Sequence, residues 1–311
     1  MLEPRLLARL TQKKIRLDAL RPLPAAALGR LQEQMAVEWI YNSNAIEGST
    51  LTLQETRLIL ETGLTIGGKS LREHFEVINH KEAIEYVEAL ATGANPVTPF
   101  HVRQIHKLVL SKIDDENAAQ YRTLPVRIAG AAYRPPDAWE VPHRMSKWGD
   151  WLDSQDTLAL HTVERAAIAH HRLAAIHPFI DGNGRTTRLV MNLLLMCEGY
   201  PPGIILLANR RQYYRALGQA DQGNETPLVN LVGRAVERSL TLYVEAGTAR
   251  PGPLAPEAEW IPLRKAASGT PYSQEYLSLL ARMGRLEAIK RGRVWYTTRQ
   301  AVAEYRRSVE E

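Results

Sequence analysis

Apolar residues recur along most of this chain at the three- and four-residue spacing that places side chains on one face of a helix. The segment 31–40 follows this spacing, residues 58–60 belong to another such segment, and residues 71–90 predict a long amphipathic helix. Thr98 followed by Pro99 is typical of a helix start and predicts a helix through residue 110. Strand-like alternation is rare, so the pattern predicts an all-α fold.

A segment without helical spacing, residues 123–143, precedes the helices of the second half of the chain. Residues 123–143 contain four prolines and short apolar stretches, which predict a β-hairpin or an extended flap. Helical periodicity then returns, and it predicts helices over residues 163–176, 186–197, 211–220 and 227–244.

A polar, glycine-rich loop separates the first two of these later helices. Gly182, Asn183 and Gly184 place backbone N–H groups at the mouth of a helix, where unpaired amides and the helix dipole attract an anion. Arg185 and Arg188 lie three residues apart in the first turn, and each can hold phosphate oxygens with its fork of donors. This part of the chain therefore predicts a phosphate site.

Two further residues of the loop carry acid–base and metal chemistry. Asp181 is a short carboxylate suited to a Mg²⁺ that also takes phosphate oxygens and water. His177 has the ordinary pKa range of a base that works near neutrality. Each residue alone has a structural explanation as a cap, a turn or a surface charge. Their concentration within twelve residues favours an active site for phosphate chemistry.

The run from His177 to Arg188, HPFIDGNGRTTR, resembles the complete signature of the Fic (Fido) family. The similarity extends over roughly residues 35–245. It implies a Fic helical fold with a small β-hairpin flap, and a protein adenylyltransferase that moves AMP from ATP to a Tyr, Ser or Thr hydroxyl of a target protein. Relatives of the kinase type carry Lys at the position of Gly184, so the glycine favours AMP transfer.

The resemblance also assigns a role to each matching residue. His177 would deprotonate the hydroxyl, Asp181 would hold Mg²⁺, and the Gly182–Gly184 run would form an anion hole for the phosphates of ATP. Arg185 and Arg188 would bind the β- and γ-phosphates. The remaining assignments are an adenosine contact at Tyr214 and a flap that aligns the target by strand addition at Val126 and Ile128. Asp221 stands where close relatives have Asn, and it is expected to be a surface charge.

The segment Ser43 to Gly48, SNAIEG, matches the inhibitory pattern of the same family. Since it precedes the catalytic loop, the match implies a self-inhibited enzyme in which Glu47 pairs with Arg188 and displaces the γ-phosphate. The alternative is an ordinary Glu near a helix end followed by a stop glycine. Within the same site, Glu47 could instead align a water that removes AMP from a modified protein.

The net charge of +5 is concentrated in the last part of the chain. Residues 1–262 contain 29 basic and 29 acidic residues, whereas residues 263–311 contain 10 basic and 5 acidic ones. A helix from residue 270 to Met283 stopped by Gly284, a hairpin tipped by residues 290–293 and a final helix to residue 307 resemble a winged helix-turn-helix. Positive charge on such a module suits DNA. Dimerisation, target docking or a solvated basic surface are the alternatives.

The sequence divides into an N-terminal helical region with the inhibitory helix (1–95), a catalytic core (96–246), a linker (247–260) and the winged helix (261–311). A DNA-binding regulator with the Fic body as scaffold is the second functional class. Cys197 lies in an apolar run and is expected to be a buried structural thiol. No signal peptide or long apolar run is present, so a cytoplasmic protein without membrane contact is expected. ATP and Mg²⁺ are the expected ligands, the chain itself is a further expected target, and family resemblance suggests a homodimer.

Overall fold

A computed structural model describes residues 1–93, 96–128, 132–248, 260–268, 270–282, 286–291 and 294–310. The chain forms two compact units, Met1–Thr248 and Ala249–Glu311. Within the described ranges, no helix has both the length and the apolar character needed to cross a bilayer. Most of the predicted linker, residues 249–259, lies outside the described residues.

The first unit is helical, as the periodicity predicts. Its α-helices are α1 (Pro4–Ala19), α2 (Ala25–Ile46), α3 (Leu53–Thr62), α4 (Leu71–Ala91), α5 (Pro99–Leu110), α6 (Val141–Leu152), α7 (Gln155–Leu158), α8 (Thr162–Ile176), α9 (Asn183–Cys197), α10 (Arg210–Ala220) and α11 (Thr226–Thr248). Short 3-10 turns at Ala138–Glu140 and Leu207–Asn209 precede α6 and α10.

Local chemistry explains where several of these helices begin. Ser70 and Glu73 form a capping box at the start of α4, because each side chain bonds the other residue's backbone N–H. Thr52 and Glu55 do the same for α3. The predicted start of α5 at Thr98 and Pro99 is confirmed.

Helix α9 lies at the centre of the unit, with α4, α5 and α8 packed around it. Nearly all of its residues are buried, and its apolar side chains join those of the surrounding helices in one core. Helix α1, which the periodicity did not reveal, packs along α11 and covers the core there. A methyl group at Gly233 would overlap Leu2 and Leu6, so glycine permits the close approach of the two helices.

Three sequence-based expectations are wrong in this unit. Residues 123–128 and 132–137 contain no strand, so the hairpin is wrong there, whereas the alternative of an extended segment is not contradicted; the 3-10 turn and α6 begin inside the predicted range, and residues 129–131 lie outside the described residues. Prolines lack the N–H that a ladder needs, which disfavours a hairpin there. Helix α9 begins at Asn183, three residues before the predicted start. Cys197 is exposed, since it is the last residue of α9.

The second unit is a small mixed module. Its elements are β1 (Ile261–Pro262), α12 (Leu263–Ala267), α13 (Gln274–Arg282), β2 (Ala288–Arg291), β3 (Val294–Thr297) and α14 (Arg299–Glu310). The strands form an antiparallel sheet in the order β1-β3-β2, and Lys290 is paired with Trp295. A separate apolar core, which includes Leu263, Leu277 and Leu286, holds the helices on the sheet. The predicted helix stop at Met283 and Gly284 and the tip at Gly292 and Arg293 lie outside the described residues.

Candidate active site

The loop between α8 and α9 is fixed by its own backbone conformation and by one side chain. His177 ends α8 with φ 49°, and Gly182 precedes α9 with φ 74°. Between them, Asn183 accepts the N–H of Phe179 at 3.0 Å and donates to the carbonyl of Phe179 at 2.9 Å. This closed turn lets the helix start at Asn183, and it places the free first-turn amides of α9 beside His177.

His177 is held in the tautomer of a base. Its Nδ1 lies 3.2 Å from the carbonyl of Ala174, which can only accept a proton, so Nδ1 donates and Nε2 keeps its lone pair. Burial lowers the pKa of His177 below its ordinary value, and the charge of Arg122 lowers that pKa further, against the opposite effect of the Ala174 bond. The imidazole is therefore neutral near pH 7 and able to accept a proton.

Arg122 ties the flap segment to the catalytic loop. Its Nε donates to the carbonyl of His177 at 2.8 Å, and its backbone N–H donates to the carbonyl of Pro178 at 2.9 Å. The same guanidinium reaches the carbonyls of Leu124 at 3.2 Å and Pro136 at 2.5 Å. A single buried arginine thus joins both ends of the predicted flap to the backbone of His177.

His106 supports the acidic end of the loop. Its Nδ1 accepts the N–H of Ala119 at 3.0 Å, so Nε2 carries the proton and donates to the carbonyl of Asp181 at 2.9 Å. The ring is stacked on Phe179 with 3.6 Å between centroids. Burial lowers the pKa of His106 to about 4, which keeps the ring neutral.

Asp181 presents an ionised carboxylate at the mouth of the site. Burial alone would raise the pKa of this carboxyl, but the bond from the Gly182 N–H at 2.6 Å and the charges of Arg185 and Arg72 lower it below its usual value. Arg72 also bonds the carboxylate directly. Within the described ranges, no cluster of three His, Cys, Asp or Glu residues could hold a metal. One ionised, half-exposed carboxylate fits a Mg²⁺ that takes its other ligands from phosphates and water.

Helix α4 brings a second group of polar residues to the first turn of α9. Arg72, Glu76 and His80 follow one another at four-residue spacing, so they share one face of the helix. Glu76 lies 3.3 Å from Nη1 of Arg185. His80 is fully buried, and burial together with the charges of Arg185 and Arg188 lowers its pKa well below the ordinary value.

Arg185 is buried, yet it is not fully bonded. The side chain is 4% exposed. Among the contacts of the described residues, its Nε and Nη1 have no hydrogen-bond acceptor, although Nη1 lies close to Glu76. Buried guanidinium donors without acceptors are costly, so this residue is poised to receive an anion.

Arg188, by contrast, has a bonding partner from the end of α2 at each of its three guanidinium nitrogens. Nε donates to the hydroxyl of Ser43 at 3.0 Å, Nη2 to the carbonyl of Ser43 at 2.8 Å, and Nη1 to Oε1 of Glu47 at 2.7 Å. Burial would lower the pKa of Arg188, but the charge and the hydrogen bond of Glu47, together with Tyr213, raise it on balance. A methyl group added at Gly184 would overlap Oε1 of Glu47. The carboxylate therefore lies against the glycine turn as well as against the arginine.

Two residues of α10 hold the last turn of α2 in this place. Arg210 donates to the carbonyl of Ile46 at 2.8 Å, and the hydroxyl of Tyr214 donates to the same carbonyl at 3.3 Å. The guanidinium of Arg210 also lies over the ring of Tyr214, 5.0 Å from its centroid. The residue expected to contact adenosine thus contacts the segment that carries Glu47.

The residues predicted for the loop between α8 and α9 lie together in the structure. Several other residues lie elsewhere than the sequence predicted. Asp221 is not a surface charge: it is 17% exposed and accepts from Nε2 of His171 at 3.0 Å. Val126 and Ile128 are half-buried beside exposed neighbours, without strand pairing. Arg122 and His106 gave no recognisable signal, because their roles depend on contacts with distant backbone. The spacing of Arg72, Glu76 and His80 was a signal that could have been read.

Fold and site together define a helical protein in which a neutral histidine lies beside the first turn of a central, buried helix. The sequence model of the Fic/DOC family matches residues 96–195. The chain is 38% identical over 253 residues to "Protein adenylyltransferase Fic" of Nematostella vectensis, covering 80% of this chain and 58% of the relative. The chain spans about half the length of the curated relatives it matches.

Solved structures of similar proteins agree with this classification. Fic-1 (aa134–508) from C. elegans has a TM-score of 0.70 at 34% identity, covering 78% of this chain and 71% of that one. A Fic domain-containing signalling protein from Bacteroides thetaiotaomicron has a TM-score of 0.71 at 32% identity, covering 77% of this chain and 97% of that one. The chain belongs to the Fic/DOC family, and the predicted resemblance is confirmed. The names of the relatives do not favour the alternative functions considered from the sequence.

Proposed function

We propose that this chain is a protein adenylyltransferase that transfers AMP from ATP to a hydroxyl side chain of a target protein. The observation that carries the proposal is the arrangement around α9. A neutral His177 with an unprotonated Nε2 lies beside a helix start with free amides and with the buried, unbonded donors of Arg185. Such a site positions phosphates and neutralises their charge, which is most of what nucleotidyl transfer needs from a protein.

The roles of the reacting groups follow from this geometry. Nε2 of His177 accepts the proton of the target hydroxyl, whose oxygen attacks the α-phosphorus of ATP. The bond from that phosphorus to the bridging oxygen breaks, and pyrophosphate leaves. The fixed Ala174 and Arg122 contacts keep the imidazole in position during this transfer.

The phosphate contacts come from the first turn of α9. The amides of Asn183 and Gly184 face the phosphates, while the Gly182 amide is already bonded to Asp181 and shapes the turn. Arg185 binds the β-phosphate, and Arg188 binds the γ-phosphate once Glu47 has left it. Asp181 would hold Mg²⁺, which neutralises phosphate charge when bound.

Adenosine and the target take the remaining positions. Tyr214 contacts adenosine after the end of α2 has moved away from it. Val126 and Ile128, half-buried in the segment tied down by Arg122, align the target backbone. The chain itself is a further target in our proposal.

Ser43 and Glu47 inhibit the proposed enzyme by holding Arg188. Three bonds from α2 satisfy Arg188, and the carboxylate fills the space beside Gly184 that the terminal phosphate needs. An anion and a carboxylate compete for the same guanidinium, so the form with Glu47 in place binds ATP without its γ-phosphate contact.

The experiment is mass spectrometry of the Glu47→Gly protein after incubation with ATP, Mg²⁺ and cell lysate. We expect proteins of the lysate, and the chain itself, to gain the mass of one AMP. The matched control is the double variant Glu47→Gly/His177→Ala, which keeps the open site and lacks the base. AMP on proteins in the control, or none with the single variant, would contradict the proposal.

We further propose that residues 261–311 form a winged helix that binds DNA. The support is the order of elements: α12 and α13 precede a hairpin whose strand β3 also pairs with β1. Helix α13 buries Leu277 and Leu280 and exposes Gln274 and Glu275 on its other side. The excess of ten basic over five acidic residues after residue 262 suits phosphate contacts.

Gel shifts with the full chain at 50 and 200 mM salt test this second proposal. Phosphate contacts predict an affinity for duplex DNA that falls steeply with salt. The control is the same protein with Lys290→Glu, a change at an exposed position of β2. No shift at 50 mM salt would refute DNA binding, and equal shifts for both proteins would refute a phosphate contact by Lys290. The domain limits at residues 95, 246 and 260, the homodimer and the cytoplasmic location stay predictions.

A further inference from the structure

A cavity of about 250 Å³ opens between α6 and α8, beside the segment tied down by Arg122. Its lining combines three cations with an apolar floor: Tyr133, Arg144, Lys147, Trp148, Arg172 and Ile176. Trp148 and Ile176 are buried, whereas Lys147 and Arg172 are exposed. The floor is thus rigid and the charges lie at the rim.

The positive charge of this cavity is only partly neutralised. Arg144 is paired with Glu140 at 3.1 Å, so the charge of this arginine is neutralised within the protein. Within the part of the chain that the structure describes, Lys147 and Arg172 have no carboxylate within 4.0 Å. Arg172 is held instead over the ring of Trp151, 4.1 Å from its centroid. Among the described residues, the cavity therefore has two cations without a paired carboxylate, Lys147 and Arg172, and the second is oriented by Trp151.

Two carboxylates, Asp221 and Glu225, lie near the cavity wall at His171 without pairing with those cations; Glu225 is 4.0 Å from Nδ1 of His171. Asp221 accepts from Nε2 of His171, a lining residue, at 3.0 Å. Its charge also contributes, with burial, to the raised pKa of the Tyr133 hydroxyl. Tyr133 therefore keeps its proton and can donate it to an acceptor in the cavity.

The cavity is connected to the reacting histidine at two points. Ile176, on its floor, directly precedes His177 in the chain. Pro136, another lining residue, accepts from Arg122 at 2.5 Å, and Arg122 also donates to the carbonyl of His177 at 2.8 Å. These two links place the cavity next to the backbone that carries His177.

The size of the cavity favours a side chain over a whole small molecule. Pockets for small molecules typically have about 300–1,000 Å³. At about 250 Å³ this cavity is smaller, and a carboxylate on one or two methylenes over an apolar floor suits it. A nucleotide would bring several phosphates to a site whose cations lie only at the rim.

We propose that this cavity binds an Asp or Glu side chain of the target protein, close in sequence to the hydroxyl that receives AMP. The inference rests on the proposed function and adds a target class to it: an acidic segment around the modified residue. Lys147 and Arg172 select the carboxylate, and Trp148 with Ile176 packs its methylenes. Each exposed ion pair changes affinity by up to roughly fivefold, so both together contribute about five- to twentyfold.

A positional-scanning peptide library with one central Tyr, Ser or Thr tests this inference on the Glu47→Gly protein with labelled ATP. We expect the label on peptides with Asp or Glu near the hydroxyl. Lys147→Glu/Arg172→Glu should reverse the preference towards Lys and Arg, and should raise the KM for the acidic peptides about five- to twentyfold. Lys147→Glu alone, which leaves Arg172 on Trp151, should give part of this change. The matched control is Arg5→Glu/Arg16→Glu, two exposed positions of α1, with no change expected.

Each other result refutes a stated part of the reasoning. An unchanged preference in the reversed variant overturns the inference, and so does a library left unlabelled by an enzyme that labels itself. A raised KM for ATP with an unchanged peptide preference would assign the cavity to the nucleotide instead. Failure of the proposed function is a different result: no self-labelling and no pyrophosphate release by Glu47→Gly.

Discussion

Replacing Glu47 by Gly removes the carboxylate that lies 2.7 Å from Nη1 of Arg188. The two bonds from Arg188 to Ser43 remain, so the arginine stays in place with one free donor. This donor and the space beside Gly184 become available to the γ-phosphate. We expect tighter binding of ATP and a large rise in self-labelling.

The magnitude can be worked from the contact that is exchanged. A hydrogen bond to a charged group contributes about 1.5–3 kcal/mol. Because the Glu47 side chain is 37% exposed, solvent screens this bond, and its contribution lies in the lower part of that range, about 1.5–2.3 kcal/mol. This free energy corresponds to roughly a 10- to 50-fold lower Kd for MgATP.

Calorimetric titration of both proteins with a non-hydrolysable ATP analogue measures this difference directly. Glu47→Gln is the matched control, because it keeps the shape of the side chain and removes only its charge; we expect an intermediate Kd. ADP is the second control, since a ligand without the γ-phosphate does not need Arg188. Equal Kd values for the ATP analogue in wild type and Glu47→Gly, or an equal gain for ADP, would refute the competition between carboxylate and phosphate.

Three further predictions concern the groups around this contact. In the Glu47→Gly protein the rate of AMP transfer should rise with pH and then level off, with the midpoint of the rise below pH 6.5. Burial lowers the pKa of His177, and loss of the Glu47 charge lowers that pKa further. A midpoint above 6.5 in a pH–rate profile would contradict the neutral base. Arg210→Ala should raise self-labelling of the otherwise wild-type chain several-fold, since it frees the carbonyl of Ile46, whereas Arg211→Ala, an exposed neighbour, should not. His106→Phe should raise the Mg²⁺ concentration that gives half-maximal thermal stabilisation by ATP, because it removes the bond to the carbonyl of Asp181. His106→Gln should bring this concentration part of the way back to the wild-type value. An identical Mg²⁺ dependence of wild type and both variants would exclude a positioning role through Asp181.

The catalytic loop could be predicted from the sequence because its residues are neighbours in the chain. Twelve consecutive residues supply the base, the carboxylate, the glycine turn and both arginines, so no tertiary contact is needed to bring them together. The helical body was predictable for a related reason, since each amphipathic segment records its own buried face. Helix α9 was placed three residues late because glycines disfavour helices, and the closing bonds of Asn183 to Phe179 were not visible.

The residues that were missed act across long sequence separations. Arg122 reaches the loop 55 residues away, and His106 reaches it 75 residues away. Arg72, Glu76 and His80 face the arginines only because α4 packs against α9. The flap failed as a hairpin for a chemical reason: its prolines cannot donate to a ladder, and Arg122 instead takes the carbonyls of Leu124 and Pro136.

The inhibitory residue Glu47 also affects the stability of the protein, because it is the counter-ion of the buried Arg188. Arg188 is 3% exposed, and Glu47 is the carboxylate that raises its pKa against the effect of burial. An uncompensated buried charge is unfavourable, so the form without nucleotide needs this carboxylate for stability.

We therefore expect Glu47→Gly to unfold at a lower temperature than wild type when no nucleotide is present. The two remaining bonds to Ser43 limit the loss to about 1–2 kcal/mol, or roughly 2–8 °C in Tm for a unit of this size. Saturating MgATP should restore the Tm, because the γ-phosphate takes the place of the carboxylate and ligand binding stabilises the folded state. Differential scanning calorimetry with and without MgATP measures both effects. If Glu47→Gly were as stable as wild type without nucleotide, Glu47 would contribute to inhibition alone, and solvent would suffice as the partner of Arg188.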